Sequence, residues 1–179
     1  SDVCSSDLFT KRQGEIPHRY MLGLYSILER LTQEFPNCLF ESCSGGGGRF
    51  DPGMLHYMPQ TWTSDNTDAI SRLKIHYGTS MVYPPSSFTS HFSACPNHQT
   101  GRTSPVKTRF NVAITGNFGL EFDPDSLTDE ERKVLKEGIK KYKDLRHLLQ
   151  YGDFYRIKNP FTDNEGAFMF ISKDKDELF

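Results

Sequence analysis

The sequence predicts an α/β protein in which short strands alternate with helices, and three observations carry that prediction. Apolar residues recur at three and four positions from Met21 to Leu31 and again from Val134 to Tyr142, the period of an amphipathic helix. Between them, short apolar runs at residues 38–41 and 60–63 each give way to a polar turn, as strands do. Proline punctuates the series at Pro36, at Pro84-Pro85 and at Pro160.

Taken in order, residues 1–8 fit nothing that follows. They resemble a translated sequencing adapter, with neither the charged start nor the apolar centre of a signal peptide, so they and Cys4 stand outside the expected fold. A helix is expected from Pro17, in its first turn, through Met21, Leu24, Leu28 and Leu31, with Phe35-Pro36 stopping it. Residues 38–41 read as a buried strand and residues 60–63 as a second. A helix over 69–77 follows, with Ile70, Leu73 and Tyr77 on one face and Gly78 ending it.

Residues 80–83 read as a further strand, stopped by the proline pair. Residues 86–107 then read as a long irregular segment, and residues 111–122 as a strand bent at Gly116 and Gly119. Thr128 and Glu131 have the spacing of a capping box, opening a helix with Val134, Leu135, Ile139 and Tyr142 inward and its charged residues solvated. A second helical piece over 145–151 leads out through Gly152. A lone β-rich run, Ala167–Ile171, is expected without partners.

Composition narrows the function classes. With 36% hydrophobic and 25% charged residues the chain is ordinary for a globular protein, and a net charge of −2 gives no sign of a nucleic-acid or membrane-surface partner. No apolar run approaches the length of a membrane span. Four cysteines at irregular spacing make no disulfide framework, which points to a reducing, cytoplasmic compartment.

The chemistry concentrates in residues 41–69. Four successive glycines, Gly45 to Gly48, allow close backbone approach and positive φ, and Arg49 follows with its fork of donors. The lysine and hydroxyl of a P-loop are missing. The polar run Asp65-Asn66-Thr67-Asp68 reads either as an N-cap cluster for the next helix or as catalytic groups at a strand end, where α/β folds place them. Trp62, the only tryptophan, reads either as core or as a platform. Farther on, His91, Cys95 and His98 match no standard zinc spacing, and no metal is expected. Cys95 reads as a small buried hydrophobe and His98 as a structural hydrogen-bonder.

Taken whole, the pattern is more specific than any of its parts. Cys43-Ser44-Gly45-Gly46-Gly47-Gly48-Arg49 fits Cys-x-x-Gly-x-x-Arg, and Tyr57-Met58-Pro59-Gln60, Trp62-Thr63-Ser64-Asp65-Asn66-Thr67-Asp68 and Pro96-Asn97-His98-Gln99 extend it. This strongly resembles glycoside hydrolase family 36, the α-galactosidases, from about residue 13 to residue 170. The resemblance implies the second half of a (β/α)8 barrel, with strands five, six and eight and helix four among the elements above, followed by the first strand of a C-terminal antiparallel β-domain. It divides the chain into a leader at 1–8, the barrel half at 9–160 and a truncated β-domain at 161–179.

The resemblance also implies a retaining hydrolysis of terminal α-galactosyl residues of melibiose- or raffinose-type oligosaccharides, by a homo-oligomer without an organic cofactor. Asp65 would be the general acid/base, Trp62 would shape the sugar site, Cys43 and Gly46 would lie against the galactose 2-hydroxyl, and Arg49 would complete the motif. Such a reaction needs two carboxyl groups about 5 Å apart, one attacking the anomeric carbon and one protonating the leaving oxygen. The family's nucleophile lies in a Lys-Trp-Asp motif that this chain does not contain. The chain therefore reads as a fragment cut at both ends and inactive alone. A related α-N-acetylgalactosaminidase or galactosyltransferase, or a non-catalytic galactoside-binding module, stands as the alternative.

Overall fold

The computed structural model describes residues 12–179; the segment 1–8, expected as a leader, and Cys4 lie outside the described residues. The chain divides into two compact units, residues 1–40 and 41–179.

The first unit holds one long helix, α1 (Ile16–Glu34), with Pro17 in its first turn and Phe35 as its C-cap. Met21, Leu24, Leu28 and Leu31 are its less exposed stripe, and Leu28 is buried, whereas Leu22 and Ile27 off that stripe are more than half exposed. The period of the sequence is thus the period of burial.

The second unit opens with β1 (Glu41–Ser42), α2 (Pro52–Tyr57), β2 (Gln60–Trp62) and α3 (Ala69–Thr79). It continues with β3 (Phe88–Ser93), α4 (Val106–Ala113), β4 (Asn117–Glu121) and α5 (Asp129–Tyr151). The four strands form one parallel sheet in the order β1-β2-β3-β4, pairing Glu41 with Gln60, Thr61 with Phe88, and Thr89 with Asn117. Parallel neighbours require crossovers, and a helix lies in each connection. The α/β class is therefore as expected, with its parallel sheet.

Strand alternation sorts side chains onto two faces. From β3, Phe88, Ser90 and Phe92 are buried on the helix side, where Phe92 joins Phe110, Ile114, Leu135, Tyr142, Leu148 and Leu149 in the core. The opposite face is polar. There Glu41 accepts from Gln60 Nε2 and Thr89 Oγ1, both at 2.7 Å, and Gln60 Oε1 accepts from Asn117 Nδ2 at 3.0 Å. The capping box of Thr128 and Glu131 starts α5 as its spacing predicts.

Several elements differ from the sequence reading. The strand expected at 38–41 is confined to Glu41–Ser42, and Leu39 is 70% exposed. Residues 80–83 are a turn, with Tyr83 N bonded back to Thr79 O and Val82 74% exposed. The strand instead follows the proline pair, inside the segment read as irregular, because proline can precede a paired run but cannot donate within it. Residues 106–113 are helical, with Pro105 at the N-cap, so only the latter part of 111–122 is a strand. The helix and its supposed second piece at 145–151 are one continuous α5.

Finally, Ala167–Ile171 (β6) has a partner. It pairs antiparallel with β5 (Asp153–Lys158), Phe154 opposite Phe170, in a separate two-stranded sheet. Phe170 and Phe179 also exchange backbone bonds of 2.8 and 2.9 Å on the other side of β6. The β5 run carries three charged residues and was masked by them.

Candidate active site

The site is assembled at the carboxyl ends of β1, β2 and β3, where parallel strands present their following loops together. After β1 comes the glycine run. Gly45, Gly46 and Gly47 have φ of 56°, 66° and 98°, a stretch no other residue adopts without strain. A Cβ on Gly46 would fall 2.4 Å from Asp65 N, and one on Gly47 2.8 Å from Thr63 O. The glycines therefore let the loop lie directly on the backbone that follows β2. The close backbone approach that the glycine run permits is realised against the protein's own turn at Asp65.

That placement brings Gly46 beside Asp65. Cys43 is exposed at the start of the same loop, and Arg49 is half-buried at its end. Phe50, next along, stacks on Tyr83 at 4.1 Å and anchors the loop's exit.

Within the turn at residues 63–68 the N-cap reading holds for one residue. Asp68 is the N-cap of α3: it is buried, its Oδ2 accepts from Ser71 N at 3.0 Å, and Arg102 donates to the same oxygen. Asp65 takes no part in the cap, and its side chain is exposed.

The backbone around Asp65 is held from two sides. From the loop after β3, Gln99 Nε2 donates to Asp65 O at 2.6 Å, while Gln99 Oε1 accepts from Thr67 N at 2.8 Å. Asn97, itself buried, donates to Thr67 Oγ1 at 2.8 Å. From α3, Arg72 donates to Thr63 Oγ1 at 2.8 Å and to Ser64 O at 2.5 Å.

Ile70, Leu73 and Tyr77 share one face of α3, as their spacing predicts, but it is not the most buried one. The inward residues are Arg72 and His76, one turn apart, and Ile70 is exposed. Burial lowers the Arg72 pKa to about 10, with the Glu121 and Asp65 carboxylates acting against that fall, so the guanidinium stays charged at neutral pH. Burial, and secondarily the charge of Arg72, pushes His76 down to about 3. Its Nδ1 lies 2.7 Å from Thr115 Oγ1, whose own hydrogen goes to Val112 O, so Nδ1 is the protonated nitrogen.

Trp62 is neither plain core nor open platform. It is half-buried, with the Arg72 guanidinium 3.7 Å above its ring and the His91 imidazole stacked at 4.4 Å. Much of its π surface is therefore covered by protein. His91 Nδ1 is 3.2 Å from Glu121 Oε2, which joins the ends of β3 and β4 on the polar face. His91, Cys95 and His98 make no metal cluster; among the described residues none is present. Cys95 is partly buried and points to Ser104 O at 3.7 Å, and His98 is exposed. No helix among the described residues is long and apolar enough to cross a membrane.

The chain is similar to known proteins over nearly its whole length. The Melibiase family profile matches residues 1–152. The alpha-galactosidase AgaA of Geobacillus stearothermophilus is 59% identical over 177 residues, covering 99% of this chain and 24% of that protein. Alpha-galactosidase 1 of Pediococcus pentosaceus is 52% identical over 177 residues, with the same shares covered. A crystal structure of a variant of AgaA, a GH36 alpha-galactosidase, in complex with raffinose superposes with a TM-score of 0.92 at 59% identity, over 97% of this chain and 24% of that one. The alpha-galactosidase of Lactobacillus brevis gives a TM-score of 0.89 at 48% identity, over 95% of this chain and 23% of that one. The chain thus spans about a quarter of the length of the relatives it matches.

Proposed function

The chain belongs to the Melibiase family, within glycoside hydrolase family 36, and from that premise we propose that it is the acid/base-bearing part of a retaining alpha-galactosidase. The observation that carries this reading is the placement of Asp65: an exposed carboxylate at a strand end, on a backbone pinned by Gln99 and Arg72 and covered by the glycine loop.

In the proposed reaction a nucleophilic carboxylate supplied from outside this chain attacks the anomeric carbon. Asp65 gives its proton to the departing glycosidic oxygen. Asp65 then takes a proton from the water that hydrolyses the glycosyl-enzyme, and two inversions restore the configuration. A fixed backbone matters here because proton transfer needs hydrogen-bond reach, about 2.6–3.2 Å between heavy atoms. Cys43 and Gly46 line the sugar's 2-hydroxyl side in this reading, leaving no room for an acetamido group. Arg49 holds the loop or a hydroxyl, and Trp62 walls the site by its free edge. The substrates are raffinose-type oligosaccharides with a terminal α-galactose.

The four-stranded sheet is read as strands five to eight of a (β/α)8 barrel, and its polar face as the lumen. The family match ends at residue 152 and the antiparallel hairpin begins at Asp153, which supports a domain boundary there rather than at 160/161. The test is proton NMR of raffinose hydrolysis by the complete protein carrying this chain. Release of α-galactose as the first product is expected; β-galactose first, or binding without cleavage, would overturn the reading.

A further inference from the structure

We infer that Arg72 is a positioning residue for the acid/base step, bracing the end of β2 against α3 so that the Asp65 carboxyl is held at the leaving oxygen. The inference rests on the acid/base reading of Asp65 given above. Arg72 is 2% exposed and sits one turn into α3, the helix that the Asp65 turn itself leads into. Its fork spans the two residues before Asp65: one nitrogen takes the Thr63 hydroxyl at 2.8 Å, another the Ser64 carbonyl at 2.5 Å. Its flat face lies on Trp62, 3.7 Å from the ring centroid.

One buried cation therefore fixes three consecutive parts of the strand end: the indole at 62, the side chain at 63 and the peptide at 64. Asp65 comes next, with Gln99 holding its carbonyl from the other side. Only a guanidinium does all of this at once. A lysine carries the same charge, but as a compact point it cannot reach two acceptors in a plane while lying on an aromatic face. Burial of so large a side chain on a helix next to the site is unexplained by packing alone, because an apolar residue would fill the space without the cost of desolvating a charge.

The arrangement predicts a selective defect. A misplaced acid slows departure of a poor leaving group such as the fructosyl-glucose unit of raffinose. It leaves departure of 2,4-dinitrophenolate untouched, because that group needs no proton. The value of kcat/KM reports this first step.

The experiment compares kcat/KM on raffinose and on 2,4-dinitrophenyl α-galactoside for the complete protein and its R72Q, R72K, T63V and D65N variants. For R72Q, raffinose is expected to fall by about 10²-fold, the scale of a misplacement near 1 Å, while the aryl substrate changes by less than about threefold. R72K and T63V, which keep part of the brace, are expected to show the same selectivity at smaller size, and they carry the test if R72Q does not fold. Equal losses on both substrates, or no loss on either, would overturn the positioning role. D65N separates the two claims: if it spares raffinose, the acid/base reading itself fails. If D65N is selective and the Arg72 and Thr63 variants are not, only the inference fails.

Discussion

The side-chain amide of Gln99 bridges the turn that carries Asp65, donating to the Asp65 carbonyl at 2.6 Å and accepting from the Thr67 amide at 2.8 Å. The loop after β3 thereby fixes the loop after β2, although the two residues are 34 positions apart. A single amide satisfies a donor and an acceptor of the same turn, and neither nitrogen nor oxygen can be exchanged without leaving one of them unpaired.

Gln99→Ala should therefore show in activity more than in stability. Gln99 is exposed, so loss of its bonds costs about 1 kcal/mol of stability. Turnover of raffinose by the complete protein should fall about tenfold or more as the turn loosens. Paired thermal-unfolding and kinetic measurements check this; a large drop in melting temperature with unchanged kcat/KM would contradict it.

Gly46 and Gly45 form a natural pair for testing the glycine loop. Both have left-handed φ, but a Cβ on Gly46 meets Asp65 N at 2.4 Å whereas one on Gly45 meets nothing within 4 Å. Gly45→Ala should cost only the left-handed penalty, about 1–2 kcal/mol. Gly46→Ala adds displacement of the Asp65 turn, and it alone should abolish most raffinose turnover. Equal behaviour of the two variants would argue against direct seating of the loop on the turn.

Asp65 and Asp68 should separate function from stability. Asp68 is buried, caps α3 and receives Arg102, so Asp68→Ala should destabilise by about 1–2 kcal/mol through loss of the cap, the Arg102 left behind being partly solvated. Asp65→Ala should leave the unfolding midpoint nearly unchanged. Urea unfolding of the two variants beside the parent decides the assignment.

His76 should make stability depend on pH. Its pKa is about 3 in the fold against 6.5 when unfolded. The unfolded chain therefore takes up a proton first as pH falls, and stability present above pH 6.5 is lost progressively down to about pH 3. Between pH 7.5 and 5 this amounts to about 2 kcal/mol. His147, exposed and raised by its bond to Glu177, acts weakly in the opposite sense. The urea midpoint of His76→Gln should vary less over this range than the parent's; an identical pH dependence would exclude His76 as its source.

What the sequence disclosed follows from where its signals were local. The stripe of α1, the Thr128 capping box and the glycine run depend on neighbours a few residues apart, and each appears where its spacing places it. What it concealed depends on tertiary partners. Strand β3 is Phe-Thr-Ser-His-Phe-Ser, too polar to read as buried, yet Thr89, Ser90 and Ser93 are all buried because bonds reach them from Glu41, Val112 and Glu121. Arg72 and His76 are the buried residues of α3 for the same reason: polar groups go inward where the strand end and Thr115 supply acceptors. The polar turn of Asp65 after a short strand was legible from the motif around it, whereas the Gln99 and Arg72 braces emerge only from contacts across 34 and up to 9 positions. The Pro96–Gln99 motif and the spacing from Asp68 to Arg72 were the signals available for them.

The acid/base role of Asp65 is tested most directly by the rate of raffinose hydrolysis by the complete protein with Asp65→Asn. A fall in kcat/KM of about 10²–10⁴-fold is expected, the usual worth of a positioned acid/base. The 2,4-dinitrophenyl galactoside should still react at its first step, and added azide should restore turnover. Raffinose hydrolysis at the parent's rate would contradict this expectation, and would move the acid/base role to a residue outside the turn that Gln99 and Arg72 hold.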